Sequence, residues 1–235
     1  MGADPILRIT NVRKNYQGLR PLRLRELVVP PGEQVGISGL DAGAAEVLVN
    51  LVTGASVPDE GEVLVLGHRT SDVANGDEWL ASLDRFGIVS PRAVLLDAVS
   101  VGQNLAMPFT LRIDPIPPDT AVRVRALAGQ VGIPADRLDA PTADLSPDLR
   151  VRVHLARAIA LDPALLILEH PTATLTRDAA RPFGRTVQSV AKARGLAALI
   201  ISEDGAFSDA AASRRFTLNG GTGELKPARR RVFGL

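Results

Sequence analysis

The stretch VPPGEQVGISGLDAGAAEVLVNLVTG, residues 29–54, joins a turn, an apolar run, a glycine-bearing loop and a helical pattern. The prolines and glycine at 30–32 mark the turn. The apolar run at 34–38 is typical of a short buried strand. Residues 44–52 have the spacing of a helix that stops at Gly54. The order of strand, loop and helix predicts an α/β fold.

The flanking segments extend this prediction. Apolar and polar residues alternate over 6–12 and 22–29, which indicates two antiparallel strands on the N-terminal side. Continuous apolar runs are typical of parallel strands buried on both faces. Further strands are predicted at 62–66, 87–90, 165–168 and 197–202, a helix at 177–194, and a closing hairpin at 214–218 and 223–225.

Residues 91–157 differ in character, because prolines interrupt helical patterns throughout this part. We interpret it as a helical subdomain inserted into a sheet core formed by residues 1–90 and 158–235. The whole chain, 1–235, is then a single domain, a length that suits one sizeable core.

Composition excludes several classes of protein. The 46% hydrophobic and 23% charged fractions are those of a globular chain. A net charge of +1 argues against binding nucleic acid by bulk electrostatics. The absence of cysteine excludes disulfides and Cys-ligated metals. We predict a cytoplasmic location, since the longest apolar runs fall far short of a membrane span and residues 1–10 lack the features of a signal peptide.

Three ordered blocks carry a family resemblance. VPPGEQVGISG (29–39), VNLVTG (49–54) and PDEGEVLVLGH (58–68) form the first, VSVGQNLAMPF (99–109) the second, and ADLSPDLRVRVHLARAIALDPALLILEHPTATL (143–175) the third. Together they resemble the nucleotide-binding ATPase subunit of an ABC transporter, in the branch that serves lipoprotein release and macrolide export. The resemblance implies a P-loop NTPase-like fold with an N-terminal antiparallel β subdomain and an inserted helical subdomain.

The residues depart from the family's phosphate loop. A working loop needs backbone amides around the phosphates, a lysine on them and a hydroxyl on Mg²⁺. By resemblance, GxSGSGKST falls on Gly39-Leu40-Asp41-Ala42-Gly43-Ala44-Ala45-Glu46-Val47. The lysine is thus replaced by Ala45 and the metal-binding hydroxyl by Glu46. No register shift restores the motif, since there is no lysine from Asn15 to Ala191.

The other family motifs depart as well. By resemblance, the second Walker acid falls on Glu169, the general base on His170, the switch histidine on Glu203 and the dimer-loop aspartate on Thr176. The family's glutamine falls on or beside Pro91. LSGGQ becomes Leu145-Ser146-Pro147-Asp148-Leu149, which places a negative charge opposite a partner's γ-phosphate. Tyr16 stands where the family has an adenine-stacking aromatic residue.

Each of these positions also has a structural interpretation. Asp41 and Glu46 complement the dipole of an empty helix N-terminus. Ser146 and Pro147 suit the start of a helix. His170 is either a new general base or a structural histidine, and Tyr16 is either a stacking or a packing residue. No metal site is predicted.

Two basic segments carry alternatives of their own. The tail with Lys226 and Arg229-Arg230-Arg231 either is a solvated terminus or contacts lipid headgroups. Arg150, Arg152 and Arg157 form either a partner-facing or solvated helix surface or a nucleic-acid stripe. We favour the solvated terminus and the helix surface.

The resemblance and its departures predict a pseudo-ATPase that binds ATP and Mg²⁺ weakly at most. Its expected partners are a transmembrane permease and a second nucleotide-binding subunit, in a homodimer or a heterodimer, without nucleic acid. The expected location is peripheral to the inner membrane. The groove lined from Pro91 to Phe109, with Leu95, Leu96 and Val99, is expected to hold a permease helix. Two alternatives remain open: an active but diverged transport ATPase, and an ABC-fold scaffold unrelated to transport.

Overall fold

The computed structural model describes residues 4–72 and 75–228. Its strands are β1 (Leu7–Lys14), β2 (Leu22–Val29), β3 (Gln34–Ser38), β4 (Glu60–Val65), β5 (His68–Arg69), β6 (Phe86–Val89), β7 (Leu165–Glu169), β8 (Ala197–Ile201), β9 (Arg214–Asn219) and β10 (Glu224–Pro227). Its α-helices are α1 (Ala42–Val52), α2 (Gly76–Ser82), α3 (Val101–Ala106), α4 (Pro118–Val131), α5 (Pro147–Ala158), α6 (Arg177–Arg194) and α7 (Gly205–Ala211).

The N-terminal strands form an antiparallel sheet in the order β2-β1-β4-β5. Leu7 pairs with Val29 and Ile9 with Leu27, so the apolar residues of β1 and β2 share one buried face. Arg8 between them points to the exposed face. The two antiparallel strands predicted from alternation are confirmed.

The second sheet has the order β10-β9-β3-β8-β7-β6. Strand β3 lies parallel to both β8 and β9, and β7 lies parallel to β6 and β8. Every residue of β7 and β8 is buried, as expected of strands covered on both faces. Because these strands run in one direction, the carboxyl ends of β3, β7 and β8 meet at one edge of the sheet.

Alternate residues of the central strands enter two different hydrophobic clusters. Leu165 and Ile167 pack with the antiparallel sheet and α1. Leu166 and Leu168 pack with α5, α6 and α7. The period of two along each strand therefore places the antiparallel sheet on one face of the parallel sheet and helices on the other. This arrangement is the predicted α/β fold.

The prediction that helices dominate residues 91–157 is also confirmed by α3, α4 and α5. A buried amide joins two parts of this region: Asn104 Nδ2 donates to Thr142 Oγ1 at 2.8 Å and to the Leu96 carbonyl at 2.9 Å, and Asn104 Oδ1 accepts the Leu96 amide at 3.0 Å. These bonds fix the chain before α3 against the chain before α5.

Some boundaries differ from the prediction. Helix α1 begins at Ala42 rather than at residue 44. Asp41 caps the helix, and Gly43 belongs to its first turn. The short elements β5, α2 and α7 were not predicted. Lys226, which we placed in the tail, pairs with Thr217 within the β9–β10 hairpin. Arg229, Arg230 and Arg231, expected to be solvated or to contact lipid headgroups, lie outside the described residues.

Two further observations bear on partners. In residues 4–72 and 75–228, no helix is both long enough and apolar enough to span a membrane. Arg150, Arg152 and Arg157 do not form a solvated stripe, since each donates to acceptors of the same chain: Arg150 to Asp97 and Thr142, Arg152 to Asp148, and Arg157 to Val94. These arginines connect α5 to its neighbours.

Candidate functional site

The glycine-bearing loop of residues 39–43 leaves the carboxyl end of β3 and enters α1. Gly39 has φ of 92°, and a Cβ there would lie 2.5 Å from the Leu218 carbonyl oxygen, so this position requires glycine. Asp41 caps α1, and its Oδ1 accepts the Ala44 amide at 2.8 Å. The Asp41 carboxylate thus satisfies an amide at the helix N-terminus, where the dipole favours negative charge.

The first turn of α1 turns its small side chains into the core. Ala45, at the position of the family's lysine, is completely buried. Ala44 and Val47 pack into the same hydrophobic cluster. Glu46 instead faces the edge of the sheet, with its side chain 47% exposed. This turn therefore presents a carboxylate, and no cation, to the space beyond the loop.

The Glu203 carboxylate accepts hydrogen bonds from the backbone amides at the start of the loop. Its Oε1 accepts the Gly39 amide at 2.6 Å and the Leu40 amide at 3.1 Å. Glu203 follows β8, the neighbour of β3, so sheet topology brings its carboxylate to the loop. Two backbone amides at the start of the loop therefore bind the chain's own carboxylate.

Arg92 joins two further acids of this region, Glu46 and Glu169. Its Nη1 lies 2.6 Å from Glu46 Oε1, and its Nη2 lies 2.7 Å from Glu169 Oε2. The Glu169 side chain is only 3% exposed. A buried carboxylate is costly without a partner, so the guanidinium compensates Glu169 and ties the end of β7 to α1.

These groups line one cleft of about 670 Å³. The lining residues are Leu40, Asp41, Ala42, Gly43, Glu46, Pro91, Arg92, Glu169, His170, Thr172, Ala173, Ser202, Glu203 and Asp204. Five of them are carboxylates, and one, Arg92, is a guanidinium. The structure therefore brings together the predicted loop, Glu169, His170 and Glu203, in surroundings that are predominantly negative.

His170 has an unusual backbone conformation. Its φ is 40°, its amide donates to the Ile201 carbonyl at 2.8 Å, and its carbonyl accepts the Ala173 amide at 3.1 Å. The ring atom Nε2 is buried and has no hydrogen-bond partner among the residues that the structure describes. Both the structural and the general-base interpretation of His170 stay predictions.

Tyr16 lies beside the loop and does not line the cleft. A Cβ on Gly43 would lie 3.4 Å from the Tyr16 ring, and one on Gly18 would lie 2.5 Å from it. Burial, and to a lesser extent the charge of Asp41, raise the pKa of the Tyr16 hydroxyl. The ring packs onto the chain's own loop and joins the neighbouring hydrophobic cluster.

The signature segment begins α5, away from this cleft. Ser146 is the N-cap and accepts the Leu149 amide at 3.4 Å, and Pro147 occupies the first turn. Asp148 Oδ2 pairs with Arg152 Nε at 2.9 Å. Arg152 thus offsets the charge of Asp148 within α5, and the placement of Asp148 opposite a partner's γ-phosphate stays a prediction.

A second cavity of about 350 Å³ lies between Pro147, His170 and the segment after β6. His154 also lines it, and its pKa falls to about 4, first because of burial and then because of the charges of Arg157 and Arg150. The His154 imidazole is therefore neutral at pH 7. The sequence analysis assigned no role to it.

Arg92 is the functional residue that the sequence analysis missed. The family's glutamine was placed on or beside Pro91, and Arg92 itself was given no role. The charges of the sequence could have indicated Arg92. By resemblance, two replacements put glutamates at 46 and 169, and a buried carboxylate requires a nearby cation. The bridge itself depends on three segments that only the fold brings together.

Known proteins resemble this chain over most of its length. A sequence profile described as "ABC transporter" matches residues 23–173, well over half of the chain. The lipoprotein-releasing system ATP-binding protein of Pseudomonas syringae pv. tomato is 28% identical over 208 residues, covering 87% of this chain and 91% of that protein. The methionine import ATP-binding protein of Rhizobium johnstonii is 28% identical over 203 residues, but this chain spans only 55% of its length.

Solved structures show the same fold. CbiO1 of Clostridium perfringens, part of the ABC transporter complex CbiONQ, superposes with a TM-score of 0.80 at 23% identity, over 95% of this chain and 88% of that chain. A dimeric ATP-binding cassette bound to ADP and Pi superposes with a TM-score of 0.77 at 22% identity, over 97% of this chain and all of that chain. Given the profile match and this shared architecture, the chain belongs to the ABC transporter family.

Proposed function

We propose that this chain is a catalytically degenerate ABC transporter subunit whose function is to dock on a transmembrane permease. It acts as a structural or regulatory partner of the transport complex, on the cytoplasmic side of the inner membrane. A second nucleotide-binding subunit, identical or different, completes the assembly. The family membership supports the kind of complex, and the geometry of the cleft supports the loss of nucleotide chemistry.

The observation that carries the proposal is the pair of hydrogen bonds from the Gly39 and Leu40 amides to Glu203. A γ-phosphate and this carboxylate compete for the same donors and carry the same sign of charge. Ala45 supplies no cation to shift the competition, because its methyl group is buried in the core.

The residues present do not fit a Mg–nucleotide complex. Glu46 and Glu169, which hold the positions of the family's metal ligands, are both bonded to Arg92. Asp41, Glu203 and Asp204 add three more carboxylates to the same cleft. Phosphate groups entering it meet net negative charge. We therefore assign no ATP or Mg²⁺ cofactor and no step of hydrolysis to this chain.

The docking surface that we assign consists of the exposed residues of segment 93–96. Val94 is 72% exposed and Leu96 is 48% exposed, while Leu95 is buried in the core. The expectation that Leu95 lines the groove was wrong, because its side chain packs inward. Beside Ala93 lies a cavity of about 280 Å³, whose lining combines apolar residues such as Pro108 and Leu161 with Asp84, His154 and Arg157. We propose that a cytoplasmic helix of the permease covers this surface.

Coexpression with candidate permeases, followed by copurification, tests the proposal. The variant Val94→Asp/Leu96→Asp is expected to lose the permease, because both charges lie in the docking surface. Leu111→Asp is the matched control, since Leu111 is fully exposed outside segment 93–96. Ala45→Lys/His170→Glu leaves segment 93–96 unchanged and, where the variant folds, is expected to keep the permease. If all variants retain the permease, or wild type never captures one, the docking function is wrong.

An active but diverged ATPase is the second candidate, favoured by the names of the relatives, which are ATP-binding proteins. This candidate requires that His170 or backbone groups take over the roles of the family residues that are replaced here. Phosphate release from Mg-ATP by the purified chain distinguishes the two candidates. The scaffold alternative predicts partners other than membrane proteins in the same copurification.

A further inference from the structure

We propose that Arg92 replaces a divalent cation in the cleft and holds the docking surface in place without nucleotide. The proposal rests on the proposed function, in which segment 93–96 meets the permease. We define the Arg92 bridge as Arg92 with Glu46 and Glu169. The evidence is the charge balance of this bridge and the position of Arg92 in the chain.

The Arg92 bridge has the geometry of a cation shared by two anions. One guanidinium nitrogen reaches Glu46 at 2.6 Å, and the other reaches Glu169 at 2.7 Å. Contacts of this length are typical of charge-assisted hydrogen bonds. Without the guanidinium, a buried carboxylate would lie near a second one with no compensating cation among the described residues that line the cleft. Two such carboxylates are ligands that a hard divalent cation prefers.

Arg92 also lies where it can fix the docking surface. It follows β6 by three residues, and its amide donates to Ser90 Oγ at 3.2 Å. Further along, Arg157 Nη1 donates to the Val94 carbonyl at 2.9 Å, and Arg150 pairs with Asp97 at 2.7 Å. The segment is thus bonded to the sheet core through Arg92 and to α5 through two other arginines.

Asn104 completes this attachment, because its amide group bonds both the Leu96 amide and the Leu96 carbonyl. Segment 93–96 is thus held by side-chain bonds from Asn104 and Arg157 and by the backbone bond from the Ala93 amide to the Ser90 carbonyl at 3.0 Å. The similar dimeric ATP-binding cassette is bound to ADP and Pi. Here the Arg92 bridge makes the connection between sheet core and segment permanent.

The test uses the isolated full chain, without ATP and without permease. Arg92→Ala is compared with Arg25→Ala, which removes an arginine from the exposed Arg25–Glu224 pair. Arg92→Ala is expected to speed amide exchange of residues 90–99 by about tenfold or more and to lower the melting temperature by about 4–8 °C. Arg25→Ala is expected to change neither quantity.

Metal rescue identifies the cation role. Millimolar Mn²⁺ is expected to restore about half of the melting temperature lost in Arg92→Ala and to leave wild type unchanged. In Arg92→Ala/Glu169→Gln no buried charge remains, so this variant is expected to melt above Arg92→Ala and to ignore Mn²⁺. If Arg92→Ala does not fold, the double variant Arg92→Ala/Glu169→Gln tests the proposal instead. The proposal is then supported if this double variant folds and its melting temperature does not change with Mn²⁺.

Three results would overturn the proposal. Arg92→Ala behaves like Arg25→Ala, Mn²⁺ fails to raise the melting temperature of a folded Arg92→Ala, or Arg92→Ala/Glu169→Gln fails to fold. None of these measurements uses ATP or a permease. If none of the three results is seen but the chain never binds a permease, only the docking function is refuted. If one of them is seen but the chain does bind a permease, only the role of Arg92 is refuted.

Discussion

The Glu203 carboxylate lies 2.6 Å from the backbone nitrogen of Gly39 and accepts its hydrogen. Glu203 lies next to the end of β8 and Gly39 next to the end of β3, and these neighbouring parallel strands bring the two residues together. An internal anion thus occupies the end of a loop whose backbone geometry suits an external one.

The first prediction concerns Glu203. Glu203→Ala frees two loop amides and removes one negative charge from the cleft. We expect affinity for ADP to rise about tenfold and stability to fall by about 1 kcal/mol, the contribution of a typical hydrogen bond. NMR titration with ADP and urea denaturation measure the two effects.

Glu224→Ala serves as the control for Glu203→Ala, because it removes an exposed glutamate from the Arg25–Glu224 pair. It is expected to change neither ADP affinity nor stability appreciably. Equal ADP affinity in Glu203→Ala and wild type would show that the carboxylate does not compete for the loop.

The second prediction concerns Ala45. Ala45→Lys alone is not expected to restore hydrolysis, since Arg92 still pairs with Glu46, His170 holds the general-base position and Glu203 still binds the loop. Because Ala45 is completely buried, the lysine is also expected to lower stability. Turnover is measured as phosphate release. A rate of about 1 s⁻¹ or more, the low end of ordinary enzyme turnover, would contradict the alignment of the loop.

The third prediction concerns His154 and pH. Its pKa is about 4 in the folded chain and about 6.5 in an unfolded one. The native state therefore binds no proton between these values while the unfolded state does, so stability is complete above pH 6.5 and falls as pH drops toward 4. For this half-buried group, solvent screening limits the loss to about 1 kcal/mol.

Urea denaturation between pH 7.5 and 4.5 checks this loss. His154→Gln is expected to flatten the pH dependence, because its side chain does not titrate. His68→Gln, a change at an exposed histidine of β5, is the matched control and is expected to keep the wild-type dependence. Identical pH profiles for wild type and His154→Gln would refute the assignment.

Strongly patterned elements could be predicted from the sequence. Strands β2 and β3 and helix α6 have the predicted bounds, because alternation or helical periodicity extends over their full length. Helix α7 was missed because its seven residues, GAFSDAA, begin with glycine and show little periodicity. Its formation depends on tertiary packing: the Phe207 ring stacks on Phe183 with centroids 5.6 Å apart.

For the candidate site, the positions of the residues could be predicted, but the partners of their side chains could not. Glu169, His170 and Glu203 follow recognisable strands, so their meeting at one edge of the sheet followed from topology. The hydrogen-bond partners of these side chains do not follow from topology. Whether Glu169 faces a metal or Arg92 depends on the path of residues 90–97, a segment without regular structure and so without a periodic sequence signal.

Calorimetric titration of the full chain with Mg-ATP tests the central claim most directly. If the chain's own groups occupy the nucleotide site, no binding is expected up to about 1 mM, since the two lost charge-assisted contacts each cost about 1.5–3 kcal/mol, together about a hundredfold or more in affinity. A magnesium-dependent dissociation constant in the micromolar range would contradict the account.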